Sequence, residues 1–432
     1  MSRKLRIVIL TFAFIFSLCL TMKNLPTDSW LSWKIGTIKS ELWAANQKIS
    51  LSLEGKLEPA SELEPIPTLA EARTTTSPLF TQQKSLNKSG SNDDFFPLGW
   101  YDNVENLNVP NRVSIEGIDT IVPYTGKNNA SKVKAYLDRA AKAGVKVMVE
   151  IPRLEVRRDH RWLITQFVAA LKNHPAVYGW YLYDEPEFTQ ISPALLKRVY
   201  DAIKTEDQNH PVAIAFGRLE RAKPYLPALD TLIYFNYPCY AGSSACNFEQ
   251  DSFKRLAAEA ATLAPKGKFW MALQGYGEDK QGNSTQFNRR LPSLEEQRYM
   301  IYTAALAPAN GLLFWTHYRS QQQWIDQVLT PLVKEFRTYL PAITNRNGVV
   351  PNVVNDSKIQ TKLFRHPQTG NLLLIAINHS NRTFTARMRI HPEVRVNSAQ
   401  VAAENRTVAV RQSRLSDVFK PFSVHVYQLQ SN

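Results

Sequence analysis

At 432 residues the chain is too long for one small domain and suits a large barrel with a smaller module behind it. A hydrophobic content of 44% and an aromatic content of 11% exclude a disordered or fibrous protein, and leave enough Trp and Tyr to line a cleft as well as fill a core. The net charge of +14 is spread along the chain with no basic helix, RNA-binding signature or finger motif, which sets nucleic acid aside and fits anionic polysaccharide or lipid headgroups better.

The basic start "MSRKLR" is followed by the uncharged run "IVILTFAFIFSLCLTM", the charged-then-apolar pattern that directs export. The run lies between a signal-peptide core and a full span of roughly 20 residues, and no small-x-small cleavage site follows at once. Residues 1–22 therefore read as either a cleaved signal peptide or an N-terminal membrane anchor. Either reading makes the protein exported: periplasmic, cell-envelope-anchored or secreted. Leu18 stands where a lipoprotein signal carries a small residue, which argues against a lipid on Cys19. Residues 23–92 contain one short helical pattern and then a stretch rich in Ser, Thr, Pro and Glu that reads as a flexible spacer.

From Phe95 onward short apolar runs alternate with helical stretches, the signature of repeated βα units around a parallel sheet. The expected strands are "FFPLGWY", "GIDTIVPY", "VKVMVEIP", "VYGWYLYDEP", "PVAIAFG", "TLIYFNYP", "KFWMALQGYG" and "GLLFWTHY". Eight strands close a (β/α)8 barrel, here over residues 93–343. The weakest crossover is the first, "DNVENLNVPNRVSIE", and the Gly-rich turn of an open nucleotide-binding sheet is absent. Over residues 356–432 the pattern switches to period two. The runs "KIQTKLFR", "NLLLIAIN", "TFTARMRI", "NSAQVAAE", "RTVAV" and "FSVHVYQL" predict six strands of a small antiparallel β-sandwich.

In such a barrel the chemistry gathers at the C-terminal ends of the strands. Those ends supply Trp100, Asp102, Tyr124, Glu150, Arg153, Asp184, Glu185, Arg218, Asn236, Tyr237, Gln274, Tyr276, Trp315 and His317. The set is aromatic and polar with no His cluster, which suits sugar rings stacking on aromatics and hydroxyls exchanging hydrogen bonds. No metal and no cofactor is implied. Cys239 and Cys246 share the Gly/Ser loop "PCYAGSSACNF"; in an oxidising compartment they can form a disulfide, two free thiols being the alternative.

Along "GWYLYDEPE" strict alternation puts Tyr181, Tyr183 and Glu185 on one face and Leu182 and Asp184 on the other, with Pro186 ending the ladder. Glu185 then sits at the mouth of the fourth strand, where desolvation would keep it protonated as a general acid. Glu187 is expected to serve the start of the next helix.

The motifs "HPAVYGWYLYDEPE", "YFNYP" and "LLFWTHY" resemble those of the clan A (β/α)8 glycoside hydrolases, over about residues 95 to 340, and the trailing module is similar to the small β-domain often found behind such barrels. The resemblance implies an O-glycoside hydrolase in which Glu185 is the acid/base, Tyr237 orients the nucleophile and Trp315 floors a sugar subsite. Trp100, Asp102, Tyr124, Arg153, Asn236, Gln274 and Tyr276 would complete the substrate site. The chain departs from the pattern twice: Asp184 replaces the usual Asn before the acid/base, and Gln274 stands where the nucleophilic Glu ends strand seven. An amide cannot form the glycosyl-enzyme ester, so a second carboxylate must come from Glu278, Asp279, Glu150, Asp184 or Asp102. The competing expectation is a catalytically silent barrel that binds carbohydrate in the envelope; a structural surface protein is a third reading.

Overall fold

The computed structural model describes residues 95–126, 129–249, 252–277, 288–345, 348, 350, 359–391 and 394–430. The segments read as export signal or anchor (1–22) and spacer (23–92), and the carboxylates Glu278 and Asp279, lie outside the described residues. Among the described residues no helix is long and apolar enough to cross a membrane.

Eight parallel strands close into a barrel in sequence order: β1 (Leu98–Asn103), β2 (Thr120–Tyr124), β3 (Lys146–Glu150), β4 (Val177–Asp184), β5 (Val212–Phe216), β6 (Thr231–Asn236), β7 (Phe269–Gln274) and β8 (Gly311–Trp315). Closure is made where β1 pairs with β8, Leu98 opposite Leu312. Tyr101, Val122, Met148, Tyr181, Ala213, Ile233, Trp270 and Leu313 fill the interior, while the alternate residues pack outward against the helices. Burial on both faces is why these strands read as nearly unbroken apolar runs.

Helices Ala130–Lys142, Arg161–Leu171, Pro193–Glu206, Phe253–Leu263 and Leu294–Leu306 form the outer layer. The last opens on a capping box, in which Ser293 Oγ accepts from the Glu296 N–H and the Glu296 carboxylate accepts from the Ser293 N–H. Such reciprocal capping contributes about 1 kcal/mol. The weak first crossover does form a helix, Val109–Ile115, only seven residues long, with Pro110 in its first turn. Between β5 and β6 there are just two 3-10 turns, Leu219–Arg221 and Lys223–Ala228. Pro224 and Pro227 lack the N–H donors that a longer helix needs there.

Behind the barrel lie β9 (Ile359–Arg365), β10 (Leu372–Asn378), β11 (Phe384–Arg389), β12 (Ser398–Val401), β13 (Arg406–Ala409), β14 (Arg414–Phe419) and β15 (Val424–Gln430). They make a five-stranded antiparallel sheet, β13-β12-β15-β10-β9, and a two-stranded sheet, β11-β14. Leu374 and Tyr427 of the first sheet share a core with Met388, Leu415 and Phe419 of the second. Strand β14 is additional to the six expected, because "RLSDVF" carries a charge at its fourth position and begins on a turn. The barrel meets this module through an apolar seam, in which Leu373, Ile375, Ile377 and Val426 join the barrel's outer core and Phe422 packs on Phe248 (5.1 Å) and Tyr299 (5.4 Å), and through buried polar contacts: Arg298 donates to Val424 O (3.0 Å) and Gln428 donates to the Tyr339 hydroxyl (2.8 Å).

Candidate active site

The pairing of β4 with β5 slips between Tyr181 and Tyr183. A bulge of this kind re-aims the residues beyond it. Strict alternation therefore fails at this point: Asp184 joins Tyr181 on the inner face, and the Tyr181 hydroxyl donates to Asp184 Oδ1 (2.7 Å). Tyr183 turns outward, where its hydroxyl accepts from Arg157 (2.8 Å).

Asp184 collects further donors. Its Oδ2 accepts from Arg153 Nη2 at 2.9 Å and from the Tyr124 hydroxyl at 3.3 Å. Trp315 Nε1 donates in turn to the Tyr124 hydroxyl (2.9 Å), and the Tyr101 hydroxyl to that of Tyr181 (3.4 Å). Burial pushes the Tyr101, Tyr124 and Tyr181 hydroxyls well above their ordinary range, with the Asp184 charge adding to it. They remain neutral donors, Tyr124 and Tyr181 to the Asp184 carboxylate and Tyr101 to the Tyr181 hydroxyl. Tyr101 and Tyr181 were not singled out in the sequence; their inward alternation along β1 and β4 was the available signal.

Glu185 leaves the strand through a left-handed backbone conformation, φ 55° and ψ 54°. A non-glycine residue pays roughly 1 kcal/mol or more for that conformation, and such outliers concentrate at functional positions. Its N–H is held by Ala215 O (3.0 Å). Its carboxyl bears electrostatically on the hydroxyls of Tyr101, Tyr237 and Tyr276, so it faces the aromatic mouth of the barrel. Among the described residues no donor reaches that carboxyl. Burial, then the charges of Asp184 and Glu187, push it up to about 7, against a smaller opposing effect of Arg153.

The other carboxylates are occupied or turned away. Glu150 is 2% exposed and receives the Thr125 N–H (2.7 Å), the Thr125 hydroxyl (3.2 Å) and Arg153 Nε (2.7 Å). Glu187 stands in the first turn of the short helix Pro186–Thr189, as expected, and its Oε1 also accepts from the Gly217 and Arg218 N–H groups (2.7 and 3.0 Å), which fixes the end of β5. Asp102 and Trp100 alternate outward on β1 and are wholly buried behind the barrel wall, where Trp100 packs on Phe314 and His317 (centroids 5.4 Å each). His317 pairs there with Glu116 (3.5 Å). Both Asp102 oxygens lack a hydrogen-bond partner, and burial raises the carboxyl to about 6. Neither residue is in the cleft.

Aromatic rings form the opposite wall. Phe235 stacks on Tyr237 (5.1 Å, 17° between planes) and Tyr237 on Trp315 (5.8 Å, 22°), while Tyr276 stands edge-on to Trp315 (4.5 Å, 87°). Asn236 alternates outward, its amide donating to the Tyr234 hydroxyl (3.3 Å). Arg218, on the rim, lies over the exposed Phe188 ring (4.9 Å). Arg153, already shared by Glu150 and Asp184, also faces the rings of Tyr124 and Tyr183 (5.4 and 5.9 Å).

Gln274, at the end of β7, is fully buried and spent on backbone. Its Oε1 accepts from the Cys239 N–H (2.9 Å), and its Nε2 donates to the carbonyls of Cys239 (3.0 Å), Tyr276 (3.1 Å) and Arg290 (2.7 Å). It thereby ties the loop after β6 to the loop after β7. Cys239 and Cys246 are joined by a disulfide, and Glu296 accepts the Cys246 N–H (2.8 Å) and both Arg290 nitrogens (2.6 and 2.8 Å). Among the described residues Cys239, Cys246 and Glu296 make the one metal-like grouping. Its sulfurs are spent in the disulfide and its carboxylate on donors, so it does not fit a cation.

Fold and site together define a (β/α)8 barrel with an aromatic-walled, carboxylate-bearing mouth and a β-domain behind it. No family model matches the chain, and no curated protein matches it. Solved structures do. One is a GH27 β-L-arabinopyranosidase from Geobacillus stearothermophilus, 10% identical, covering 79% of this chain and 98% of its own at a TM-score of 0.54. Another is an α-amylase from Geobacillus thermoleovorans complexed with acarbose, 10% identical, covering 79% of this chain and 100% of its own at 0.51. At these identities the likeness concerns the fold alone: the chain shares with these two proteins its (β/α)8 barrel architecture.

Proposed function

We propose that the protein is a glycoside hydrolase in which Glu185 protonates the departing glycosidic oxygen. The observation that carries this is the Glu185 carboxyl itself, set at a barrel-strand end among aromatic rings, unclaimed by any described donor and held up to about 7. A group poised near the working pH is what general-acid catalysis asks for. Asp184 keeps the proton on its neighbour by its charge, and Arg153 holds Asp184 in place. Glu150 and Asp102 are unsuited as partner carboxylates because one is saturated with donors and the other lies behind the wall. Glu278, four residues past Gln274 in the sequence, is the second carboxylate in this reading. Tyr237, Tyr276 and Trp315 receive the sugar, and the basic N-terminal run followed by an apolar stretch makes the enzyme exported or membrane-tethered.

The test is a panel of aryl glycosides and envelope polysaccharides assayed with the wild-type chain and Glu185→Gln. Turnover that falls by roughly 10²-fold or more in the variant is the expected result. One observation favours a second reading: the engagement of Gln274 with four backbone groups fits a silent carbohydrate-binding barrel. Binding without turnover in both chains would select it.

A further inference from the structure

Half of the chain's net positive charge sits on the small module. Residues 356–432 hold eleven Lys and Arg against four Asp and Glu, a net +7 of the total +14. On the two-stranded sheet the alternate residues Ala386, Met388, Leu415 and Phe419 face the core. Thr385, Arg387, Arg389, Arg414, Ser416 and Val418 make up the exposed face. Register brings the charges together. Arg389 lies directly opposite Arg414, and Arg411 pairs with Arg414 from the far side of the turn through Gln412 and Ser413. Residues opposed in this way project to the same side, with Cβ atoms about 5 Å apart. Three arginines therefore stand in one row across the sheet, with Arg387 one step along β11.

Directly opposed like charges destabilise a ladder. Asp417, three residues after Arg414, does not relieve them: it points to the other face and is bound by Arg406 (2.8 Å), His425 (3.0 Å) and Tyr427 (2.7 Å). Among the described residues no carboxylate pairs with Arg387, Arg389, Arg411 or Arg414. Guanidinium forks at strand spacing match carboxylate or sulfate groups repeated along an extended chain, each taken in a bidentate contact. The face carries no aromatic side chain and a single apolar one, Val418, so it lacks the apolar wedge by which basic surfaces enter a bilayer and the rings on which unpaired bases stack.

We propose that this face is a docking site for an acidic polysaccharide, separate from the barrel mouth. It rests on the β11-β14 sheet alone and stands or falls independently of the chemistry at Glu185. The test uses the whole chain and its variant Arg387→Ala/Arg389→Ala/Arg414→Ala. Binding to polygalacturonate, to dextran sulfate and to neutral galactan is measured at several salt concentrations, beside phosphatidylglycerol vesicles and a DNA duplex. The expected result is capture of at least one acidic polysaccharide and not of galactan, weakened tenfold or more in the triple variant, with a shallower salt dependence and a melting temperature that holds or rises. Any of three results would overturn the proposal: no capture of either polyanion, capture unaffected by the variant, or tighter capture of the vesicles or the duplex. Retained aryl-glycoside turnover in the variant separates this outcome from any failure at Glu185.

Discussion

Tyr181 and Asp184 are hydrogen-bonded at 2.7 Å although an unbroken strand would point them to opposite faces. The slip of β4 against β5 puts them together. As a result Asp184 sits inside the barrel mouth, next to Glu185, with donors from β2, β4 and the segment after β3 directed toward it.

Removing Arg153 should expose how much that arrangement depends on charge. Arg153→Met leaves Glu150 buried with only its Thr125 donors and Asp184 with two tyrosines. Removing one partner of a fully buried pair costs roughly 3–5 kcal/mol. The Arg153 side chain keeps 39% of its surface in solvent, so we expect about 2 kcal/mol, read as a lower urea midpoint. An unchanged midpoint would mean the clamp carries no stability.

The pH profile should carry the signature of Glu185. Its carboxyl is held up to about 7 by burial and by its acidic neighbours, so the acid form is present below that value and is lost as pH rises through it. Turnover should therefore fall on the alkaline side with a midpoint near 7. The same shift weakens the fold: the ionised group is penalised only in the folded chain, and the penalty develops from the unfolded value near 4.5 up to about 7. Glu185→Gln should flatten the decline in melting temperature between pH 5 and pH 8. An identical decline in both chains would assign the shift elsewhere.

Asp102→Asn tests the wall behind β1. With both oxygens unpartnered and the carboxyl raised to about 6 by burial, Asp102 destabilises the native chain as pH climbs from its unfolded range near 4 past 6. The amide should raise stability at pH 8 by about 1–2 kcal/mol, with little change at pH 4. Turnover should stay at the wild-type level, and a loss of turnover without unfolding would return Asp102 to the substrate site.

Gln274→Glu installs the carboxylate that the resemblance to clan A barrels implies at this strand end. Here it would set a carboxylate against the carbonyls of Cys239, Tyr276 and Arg290, which now accept from the amide. Leaving such buried groups unsatisfied costs roughly 1–3 kcal/mol each. We expect a protein less stable by about 3 kcal/mol at neutral pH and no gain in activity. A rise in turnover would show that strand seven can still supply a nucleophile.

Much of the fold was legible because parallel strands buried on both faces leave long apolar runs; seven of the eight barrel strands lie within the runs so identified, and β1 continues past its run through Asp102 to Asn103. The sandwich was legible to the extent that period two is clean; β14 escaped because Asp417 and the turn before it broke the pattern. Within the mouth, Glu185 and Trp315 followed from strand-end position. Asp184 was assigned to the wrong face, since a one-residue slip in register leaves no trace in composition. Trp100 and Asp102 were listed with the cleft because position along a strand does not by itself say which side of the wall a side chain takes. The backbone clamp of Gln274 was hidden for another reason: its partners are main-chain groups, which every sequence has.

The loop that follows Tyr237 is fastened redundantly. Cys239 is held on both its N–H and its carbonyl by Gln274, and Cys246 on its N–H by Glu296, so each end of the disulfide has a second anchor that no reductant can reach. The aromatic wall should consequently keep its shape when the thiols are free. The bridge then guards the short stretch between its two cysteines against local fraying, while both ends of that stretch are fastened from outside it.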